Sequence, residues 1–397
     1  MKINNITGIK MASASSNTRY GDRDDSLLIL IEKGSSISGK FTNNSFKSAP
    51  VITAKDHLKR CAGKEIILMI NAGNANAGTG KKGAKDVLSC CKSVGKEMGI
   101  HPESVLPFST GVIGEYLKTD EYISAFVKAS RRLKFNNWKQ AAKSILTTDT
   151  KPKLLSRVIR NGSEEIAVTG FAKGSGMIRP DFATLLSFVF IDAKINRPLL
   201  DNIHSEALSE SFNRITVDGD TSPNDSSVLV ASGRTKNLVK RGTPIERKIR
   251  SAVIEIYKEL ADLLIKDAEG ATKKITIKVI QAKTKKQAES VAFTVAESPL
   301  VKTAMFGNDA NWGRILSAIG RSPEVNDVSK TSIHLNGVPL AKNGNLHPQH
   351  SESKASKEIT KKNLEGTIKL GLGKSTFSVI TSDFSEDYLL INSDYRS

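Results

Sequence analysis

A threonine between a glycine-rich stretch and an apolar run is the first residue whose surroundings could support chemistry. Residues 173–180 (KGSGMIRP) contain two glycines and a proline, which predict an irregular loop, and the small residue Ala183 follows shortly afterwards. Thr184 then opens the apolar run 184–191, which predicts a buried strand. A hydroxyl at such a junction could act as a nucleophile. Threonine also favours strands, so the local pattern equally fits a structural residue.

A hydroxyl followed by a glycine in Ser109-Thr110-Gly111 is a second candidate. A Ser/Thr-Gly turn can point a side-chain hydroxyl and a backbone N–H in the same direction, as an oxyanion hole requires. An ordinary turn has the same composition. Taken alone, the segment supports either interpretation.

Two further polar segments have a composition that could bind ligands. Residues 71–80 (NAGNANAGTG) could hold an anion with backbone amides, but they lack the Lys-Ser/Thr ending of a phosphate-binding P-loop. Residues 218–225 (DGDTSPND) are rich in carboxylates and turn formers, and they lack the closing Glu of a calcium-binding EF-hand loop. Both segments also fit ordinary turns.

The elements that must position these residues mix strands and helices along the whole chain. The polar, weakly periodic stretch 339–362 predicts an exposed excursion or loop. With 397 residues the chain exceeds the usual single core, so we expect an α/β or α+β fold with two large lobes or two to three domains. Apolar periodicity predicts strands at 65–70, from Thr184 and at 275–279, helices around Cys90 and over 138–146, 199–212, 249–264 and 284–297, and a hairpin at Asn161-Gly162.

Composition and charge narrow the classes of function. The chain is 39% hydrophobic and 25% charged, as in ordinary globular proteins, and its formal charge of +18 could indicate a polyanionic partner. The lysines are spread along the chain without interleaved aromatic residues, which favours a solvated surface over a nucleic-acid or membrane site. We therefore expect small-molecule substrates, with no nucleic-acid and no membrane partner.

The cysteines, histidines and apolar runs point to a soluble protein without a metal. Cys61, Cys90 and Cys91 form no CxxC pair and fit a buried face in a reducing compartment. The six histidines are scattered without metal-ligand spacing. The apolar runs are far shorter than the ~20 residues that span a bilayer, and the first twenty residues do not have the pattern of a secretory signal. We expect a cytoplasmic protein.

Taken together and in order, these segments resemble the glutamate N-acetyltransferase family, also called ornithine acetyltransferases, from about Gly8 to Ser397. Ordered blocks are far more specific than any one short motif. The resemblance rests on 71–80 (NAGNANAGTG), 109–115 (STGVIGE), 147–153 (TTDTKPK), 172–193 (AKGSGMIRPDFATLLSFVFIDA), 211–225 (SFNRITVDGDTSPND), 267–273 (DAEGATK), 298–315 (SPLVKTAMFGNDANWGRI) and 391–397 (INSDYRS).

The resemblance implies a fold and a maturation step. It implies a two-lobed mixed αββα-type sandwich, similar to N-terminal-nucleophile hydrolases but with its own topology. It also implies that the precursor cuts itself between Ala183 and Thr184, giving chains 1–183 and 184–397 that stay together as one compact two-lobed unit. Thr184 would then become an N-terminal nucleophile.

The activity implied by the resemblance is acetyl transfer from N2-acetyl-L-ornithine to L-glutamate through an acetyl-threonine, in the cyclic pathway of arginine biosynthesis. Thr110 and Gly111 match the oxyanion hole of the family. No cofactor is implied, and the sequence leaves open whether acetyl-CoA is a second donor. The implied assembly is an α2β2 heterotetramer. The positions matching substrate-binding residues are Thr147, Lys173, Thr184, Glu269, Asn392 and Ser397.

Some positions depart from the family pattern. Asp181-Phe182 stands where Asn-Met is usual, which puts the rate of self-cleavage and the pocket shape in question. Gly78, Pro223 and residues 308–310 also differ without removing a proposed catalytic atom. Two alternatives stay open. One keeps the self-cleavage but is an N-terminal-threonine amidohydrolase or aminopeptidase, and the other is an anion- or nucleic-acid-binding protein in which Thr184 is only structural.

Overall fold

The computed structural model of the protein describes residues 2–162, 164–179, 185–235 and 237–394. Five residues considered in the sequence analysis lie outside these ranges: Asp181, Phe182, Ala183, Thr184 and Ser397. The strands are β1 (Ile9–Ala14), β2 (Ser26–Ile31), β3 (Ser36–Phe41), β4 (Ile66–Asn74), β5 (Val105–Val112), β6 (Lys153–Asn161), β7 (Glu164–Lys173), β8 (Leu186–Ile191), β9 (Lys194–Ile195), β10 (Ser226–Ala231), β11 (Leu238–Val239), β12 (Lys274–Ala282), β13 (Ser332–Leu335), β14 (Val338–Lys342), β15 (Asn345–Leu346), β16 (Asn363–Lys369) and β17 (Ser375–Ser382). The helices are α1 (Ala49–Arg60), α2 (Gly80–Met98), α3 (Thr119–Ser130), α4 (Trp138–Ser144), α5 (Arg197–Ser209), α6 (Pro244–Lys266), α7 (Lys285–Ala296), α8 (Pro299–Phe306), α9 (Trp312–Gly320), α10 (Glu352–Ile359) and α11 (Glu386–Asp394).

Two sheets face each other in the first lobe. One has the order β1-β2-β4-β5 and the other the order β3-β10-β8-β7-β6. Leu27, Ile29 and Phe108 of the first sheet share one buried cluster with Phe188 and Val228 of the second. The rings of Phe108 and Phe188 meet edge to face, with their centroids 5.3 Å apart. The two sheets therefore enclose an apolar core between them.

Helices cover the outer faces of both sheets. Side chains of β2 and β4 that point away from the central core pack against α2 and α3. Side chains of β8 and β10 pack in the same way against α5 and α6. Because both faces of these strands are covered, β2, β4, β8 and β10 are buried at every position. The result is a four-layer α-β-β-α sandwich, which confirms the fold class expected from the sequence.

The second lobe is built on a third sheet with the order β15-β14-β13-β16-β12-β17. Helices α7, α8, α9 and α10 contribute apolar side chains to its separate core. A bridge between Ile215 and Ile380 joins the two lobes, and the N–H of Thr216 donates to the carbonyl of Ile380 at 3.0 Å. The described chain thus forms two lobes, which is one of the arrangements that its length predicts.

Two local expectations were wrong. The stretch 339–362 is not an exposed excursion, since it contains β14, β15 and α10 and buries Leu340, Ala341, Ala355 and Ile359. Each of these elements is short and carries at most two core residues, which is too few to give a visible period. Residues 71–74 extend β4 instead of opening a loop, because they pair with the end of β5.

The helices predicted from apolar periodicity and the hairpin at Asn161-Gly162 are present within a few residues of their expected limits. The described part of the strand predicted from Thr184 begins at Leu186. In the described residues, no helix is both long and apolar enough to cross a membrane.

Candidate active site

Four strand ends meet at one edge of the sandwich. Lys173 at the end of β7 pairs with Leu186 at the start of β8, and Leu186 pairs in turn with Ser226 at the start of β10. Thr110 and Gly111 lie near the end of β5 in the facing sheet. A cleft of about 190 Å³ opens at this edge. It is lined by Thr110, Gly111, Ile113, Thr147, Thr148, Lys173, Gly174, Gly176, Met177, Leu185, Leu186, Asp218, Asp220, Ser222, Asn224, Asp225, Glu269, Tyr388 and Asn392.

The cleft brings together every described residue that the sequence singled out for the site. These residues come from segments far apart in the chain, and Leu185, which follows Thr184 in the sequence, lies among them. Ala183, Thr184 and Ser397 lie outside the described residues. The described site residues are Thr110, Gly111, Thr147, Lys173, Glu269 and Asn392.

A buried lysine contacts the predicted oxyanion hole. The Nζ of Lys173 donates to the Oγ1 of Thr110 at 3.0 Å. Burial lowers the pKa of Lys173, and the Asp149 carboxylate opposes that shift. Because the Thr110 oxygen accepts from an ammonium, its own proton is available to donate elsewhere. Thr110 can therefore donate to a negative oxygen that forms in the cleft.

Gly111 occupies a position that only glycine fits. Its φ is 129°, and an added Cβ would lie 2.3 Å from the carbonyl carbon of Gly73 and 2.6 Å from the nitrogen of Asn74. The hydroxyl of Ser109, two residues earlier, donates to the Oδ1 of Asn71 at 2.5 Å. The polar segment 71–80, considered above for anion binding, thus supports the backbone of 109–111.

Two polar side chains that line the cleft, one after α6 and one on α11, are joined by a hydrogen bond. The Nδ2 of Asn392 donates to the Oε2 of Glu269 at 3.0 Å, and the N–H of Glu269 donates to the carbonyl of Ser175 at 3.0 Å. An added Cβ at Gly176 would lie 2.2 Å from that same Oε2. A glycine at 176 therefore leaves the space that the Glu269 carboxylate needs.

Asp218 anchors the glycine-rich loop. Its carboxylate accepts from the N–H of Met177 at 2.7 Å and from the N–H of Ile178 at 2.9 Å. Burial raises the pKa of Asp218, although these backbone bonds oppose the shift. Tyr388 stacks on Phe384 with ring centroids 4.5 Å apart, and its hydroxyl lies 3.5 Å from Asp218. Residues 218–225, which the sequence placed among turns, thus also hold the site together.

Two more residues of this segment lie deep in the cleft, and sequence reasoning did not single them out. Burial raises the pKa of Asp225 well above its usual value, and the N–H of Ser222 donates to its carboxylate at 3.1 Å. The Nδ2 of Asn224 donates to the carbonyl of Ala75 at 2.7 Å, while its Oδ1 has no partner among the described residues. The signals in the sequence were the carboxylate-rich composition of 218–225 and the place of this segment in the block 211–225.

The electrostatics of the lining suit a zwitterionic ligand. Four carboxyl side chains line the cleft, from Asp218, Asp220, Asp225 and Glu269, and Lys173 is the cation among the described lining residues. A lysine can hold a carboxylate and a glutamate an ammonium, as binding of an amino acid requires. In the described part of the chain, no three or more His, Cys, Asp or Glu side chains are grouped as they would be around a metal ion.

The chain is similar to known proteins over almost its whole length. The model of the ArgJ family matches residues 10–397. The arginine biosynthesis bifunctional protein ArgJ of Methylococcus capsulatus is 42% identical over 394 residues, covering 99% of this chain and 96% of that protein. The protein of the same name from Psychrobacter arcticus is 40% identical over 395 residues, covering 99% and 97%.

Two solved structures cover about half of this chain. The ArgJ bifunctional protein of Bacillus halodurans is 35% identical, with a TM-score of 0.49, over 51% of this chain and 96% of the solved chain. Ornithine acetyltransferase of Mycobacterium tuberculosis, solved with ornithine, is 25% identical, with a TM-score of 0.40, over 45% and 94%. The family model and the two relatives at 42% and 40% identity, each covering nearly the whole chain, show that this chain belongs to the ArgJ family.

Proposed function

We propose that this protein is a glutamate N-acetyltransferase of arginine biosynthesis, which transfers acetyl from N2-acetyl-L-ornithine to L-glutamate. The observation that carries the proposal is the cleft in which the Lys173–Thr110 pair and Glu269 meet beside Leu185. Membership of the ArgJ family supports it, since the relatives are named arginine biosynthesis bifunctional proteins.

Maturation is the first step of the proposed function. The Thr184 hydroxyl attacks the carbonyl of Ala183, the peptide C–N bond breaks, and the hydroxyl proton ends on the nitrogen of Thr184. Water then hydrolyses the resulting ester, which frees the carboxylate of Ala183 and restores the hydroxyl. The support is the resemblance of 172–193 to the family and the position of Leu185 in the cleft.

Acetyl transfer then uses the freed N-terminus. The α-amine of Thr184, with an unperturbed pKa near ~7.7 to 8.0, takes the proton of its own hydroxyl as the oxygen attacks the acetyl carbonyl. The C–N bond of acetylornithine breaks, the proton passes to the departing amine of ornithine, and an acetyl-threonine remains. The amine of glutamate attacks that ester, and Thr184 regains its proton. Thr110 and Gly111 donate to the negative oxygen in both half-reactions.

Both substrates carry an α-carboxylate, and the residues of the cleft suit its recognition. The ammonium of Lys173 pairs with the carboxylate, with Thr147 nearby in the lining. Glu269, oriented by Asn392, pairs with an ammonium of the ligand. Ser397 belongs to the same proposed set on the resemblance alone.

The test is an assay of the purified protein with N-acetylornithine and glutamate. Ornithine and N-acetylglutamate should appear together, and intact mass should reveal a second chain that begins Thr184-Leu185-Leu186. The Thr184→Ala protein should remain uncut and inactive. Transfer by that variant would overturn the mechanism, and acetate release without any need for glutamate would instead identify an amidohydrolase.

Acetyl-CoA is proposed as a second donor, because the relatives are named bifunctional. Incubation of acetyl-CoA and glutamate with the protein should then yield free CoA and N-acetylglutamate. The CoA signal should disappear in Thr184→Ala. A protein that transfers from acetylornithine but releases no CoA would be monofunctional.

The assembly and the location are proposed on the resemblance. We expect the two chains to pair as one unit and two units to form an α2β2 heterotetramer in the cytoplasm. Cys61, Cys90 and Cys91 are free and buried, which is compatible with a reducing compartment. Light scattering coupled to size exclusion should give about twice the 43.0 kDa chain mass, and a value of one chain mass would contradict the tetramer.

A further inference from the structure

A buried charge network lies beneath the cleft. The Nζ of Lys153 is 2.5 Å from the Oδ1 of Asp149 and 2.5 Å from the Oδ2 of Asp267. The side chains of Lys153 and Asp149 are 2% and 0% exposed, and that of Asp267 is 9% exposed. Burying three charges is costly unless each is fully paired, so the geometry of such a group is tightly fixed.

Asp149 also holds the backbone of two segments that line the cleft. Its Oδ1 accepts from the N–H of Gly174 at 2.7 Å, and its Oδ2 accepts from the N–H of Thr147 at 3.3 Å. Gly174 directly follows Lys173, whose ammonium reaches Thr110. One carboxylate thus fixes the chain next to both Thr147 and Lys173.

Asp267 extends the network to the segment that carries Glu269. Its carboxylate accepts from the N–H of Thr150 at 3.1 Å and from the N–H of Lys151 at 3.3 Å, as well as from the Thr150 hydroxyl. Glu269 follows two residues later. The segments 147–153 and 267–269 are therefore tied together directly below the cleft.

We propose that Asp149 is the positioning residue that aligns Thr147 and Lys173 toward the substrate carboxylate, and that Lys153 and Asp267 hold this unit in register with Glu269. The inference rests on the proposed function for the identity of the substrate. Asp149 itself does not line the cleft, so it acts through the groups it holds.

The charge of Asp149 has a second effect on Lys173. The charged groups that face Lys173 are Asp149, Lys153, Asp225 and Glu269. Burial lowers the pKa of Lys173, and Asp149 is the strongest influence in the opposite direction. Without that carboxylate, Lys173 loses its proton at a lower pH, so it pairs less well with a carboxylate as the pH rises.

The test is the pH dependence of KM in Asp149→Asn, which keeps the shape and removes the charge. At pH 8 the KM values for glutamate and for acetylornithine should rise roughly 10- to 100-fold, because a hydrogen-bonded charge pair is lost, and kcat should fall by a smaller factor, because uncharged Lys173 polarises the Thr110 hydroxyl less. The increase should be smaller at pH 6 than at pH 8, because a larger fraction of Lys173 carries its proton at the lower pH. A KM profile that coincides with that of the parent protein at all pH values would overturn the proposal.

Asp262→Asn is the matched control. Asp262 also lies between two lysines, with its oxygens 2.7 Å from Lys266 and 2.7 Å from Lys274, but it is outside the cleft lining. Its loss should leave both KM profiles unchanged. If KM of this control also rises at pH 8 and recovers at pH 6, then loss of any carboxylate between two lysines produces the same change. That result would overturn the assignment to Asp149.

A second variant, Asp267→Asn, tests the connection between segments 147–153 and 267–269 separately from the effect of the Asp149 charge on Lys173. It also provides a test if Asp149→Asn does not fold. Asp267→Asn leaves Asp149 beside Lys173, so its KM should rise by a similar factor at pH 6 and at pH 8. Unaltered KM values in folded Asp267→Asn, judged by circular dichroism, would overturn the link to Glu269.

Ligand binding without turnover distinguishes the inference from the proposed function. Ornithine is titrated calorimetrically into uncut Thr184→Ala and into Thr184→Ala with Asp149→Asn. Weaker binding in the double variant that recovers at pH 6 supports the positioning role even if the parent protein transfers no acetyl group. Equal binding by both proteins overturns that role even if transfer is active.

Discussion

At the scale of single residues, the contact between Lys173 and Thr110 decides what the cleft can do. A threonine hydroxyl that accepts from an ammonium has a polarised proton, and this makes it a better donor to a negative oxygen. The same lysine charge is also available to a substrate carboxylate. Two tasks of the proposed reaction therefore depend on a single 3.0 Å contact.

The first prediction concerns Thr110→Val, which removes the hydroxyl and keeps the branched shape. We expect kcat to fall roughly 10²- to 10³-fold with little change in KM, because the lost donor acts on the negative oxygen of the transition state. Rates are measured on the cleaved fraction, quantified by gel densitometry. Thr110→Ser should recover most of the activity.

The matched control for Thr110→Val is Thr303→Val. The Thr303 hydroxyl is exposed and donates to the carbonyl of Pro299 within its own helix, at 2.8 Å. Its removal should leave kcat unchanged. A kcat of Thr110→Val within threefold of the parent value would remove Thr110 from the oxyanion hole.

The second prediction concerns Gly176→Ala. The new methyl group would lie 2.2 Å from the Oε2 of Glu269, so the carboxylate must move away from its position beside Asn392. We expect KM for both substrates to rise by about tenfold, because the ammonium partner is displaced. The contact is with the flexible end of a side chain, so Tm should change by less than about 2 °C.

The control for this prediction is Gly320→Ala, where an added Cβ meets nothing within 4 Å. Steady-state kinetics and thermal melts of both variants provide the comparison. A Gly176→Ala protein that melts far lower while its KM is unchanged would show that Gly176 serves the fold and not the position of Glu269.

At the scale of elements, continuous apolar runs made the buried strands predictable. Residues 66–70 are all apolar and β8 is apolar except for Ser187, because each strand is covered on both faces. The stretch 339–362 shows no clear period because its elements are short and each buries at most two residues. Whether the apolar pattern of an element can be recognised in the sequence thus depends on how long the element is and how many of its residues are buried.

The candidate site could be predicted only through the ordered blocks of the family resemblance. Thr110, Lys173, Glu269 and Asn392 are separated by dozens of residues, and no local period relates them. Their meeting depends on the parallel and antiparallel pairing of β7, β8 and β10. The network of Asp149, Lys153 and Asp267 was invisible for the same reason, since Asp267 is over a hundred residues from its partners.

The third prediction concerns α11, a helix without a buried side chain among its described residues. Removing residues 386–397 should lower Tm by only a few degrees, because little apolar area is lost from the core. KM should rise strongly, because Tyr388 and Asn392 leave the cleft. Thermal melts and substrate kinetics of the shortened protein are the measurements.

The double substitution Tyr388→Ala with Asn392→Ala separates these side chains from the rest of the helix. It should reproduce most of the KM increase in a full-length chain. A shortened protein that fails to fold, or one whose KM is normal, would contradict the view that α11 serves the cleft and not the core.

At the scale of the whole molecule, the proposed cut would divide the second sheet between two chains. Strands β3, β6 and β7 precede Thr184, whereas β8 and β10 follow it. The central pairing of β7 with β8 runs from Val168–Ile191 to Lys173–Leu186 and is buried on both sides. After cleavage the two chains would therefore remain associated through one continuous sheet and its shared cores.

Global stability should also depend on a histidine in the core of the sandwich. His204 lies between the second sheet and its covering helices, with its Nδ1 2.9 Å from the hydroxyl of Ser38 and its Nε2 2.9 Å from that of Ser227. The side chain is fully buried, and this burial lowers the pKa of His204 to about 3. The imidazole therefore stays neutral in the folded protein at any pH at which the enzyme would work.

The fourth prediction follows from this shift. Between pH 6.5 and about 3 the unfolded chain binds a proton at His204 that the folded chain does not. The free energy of unfolding therefore falls as the pH falls through this range, and the contribution of His204 to stability is fully present only above pH 6.5. In uncut Thr184→Ala, the loss of stability between pH 7 and pH 5 should be about 2 kcal/mol larger with His204 than in the His204→Gln variant. Urea unfolding at each pH measures the difference, and the uncut background keeps unfolding unimolecular.

His204→Gln is itself expected to be less stable at pH 7, because its amide cannot reproduce both hydroxyl contacts, but that offset cancels in the comparison of slopes. Parallel pH dependences in the two proteins would show that His204 is accessible to protons in the folded state, and the packing of α5 and α6 on the second sheet would then have to open readily.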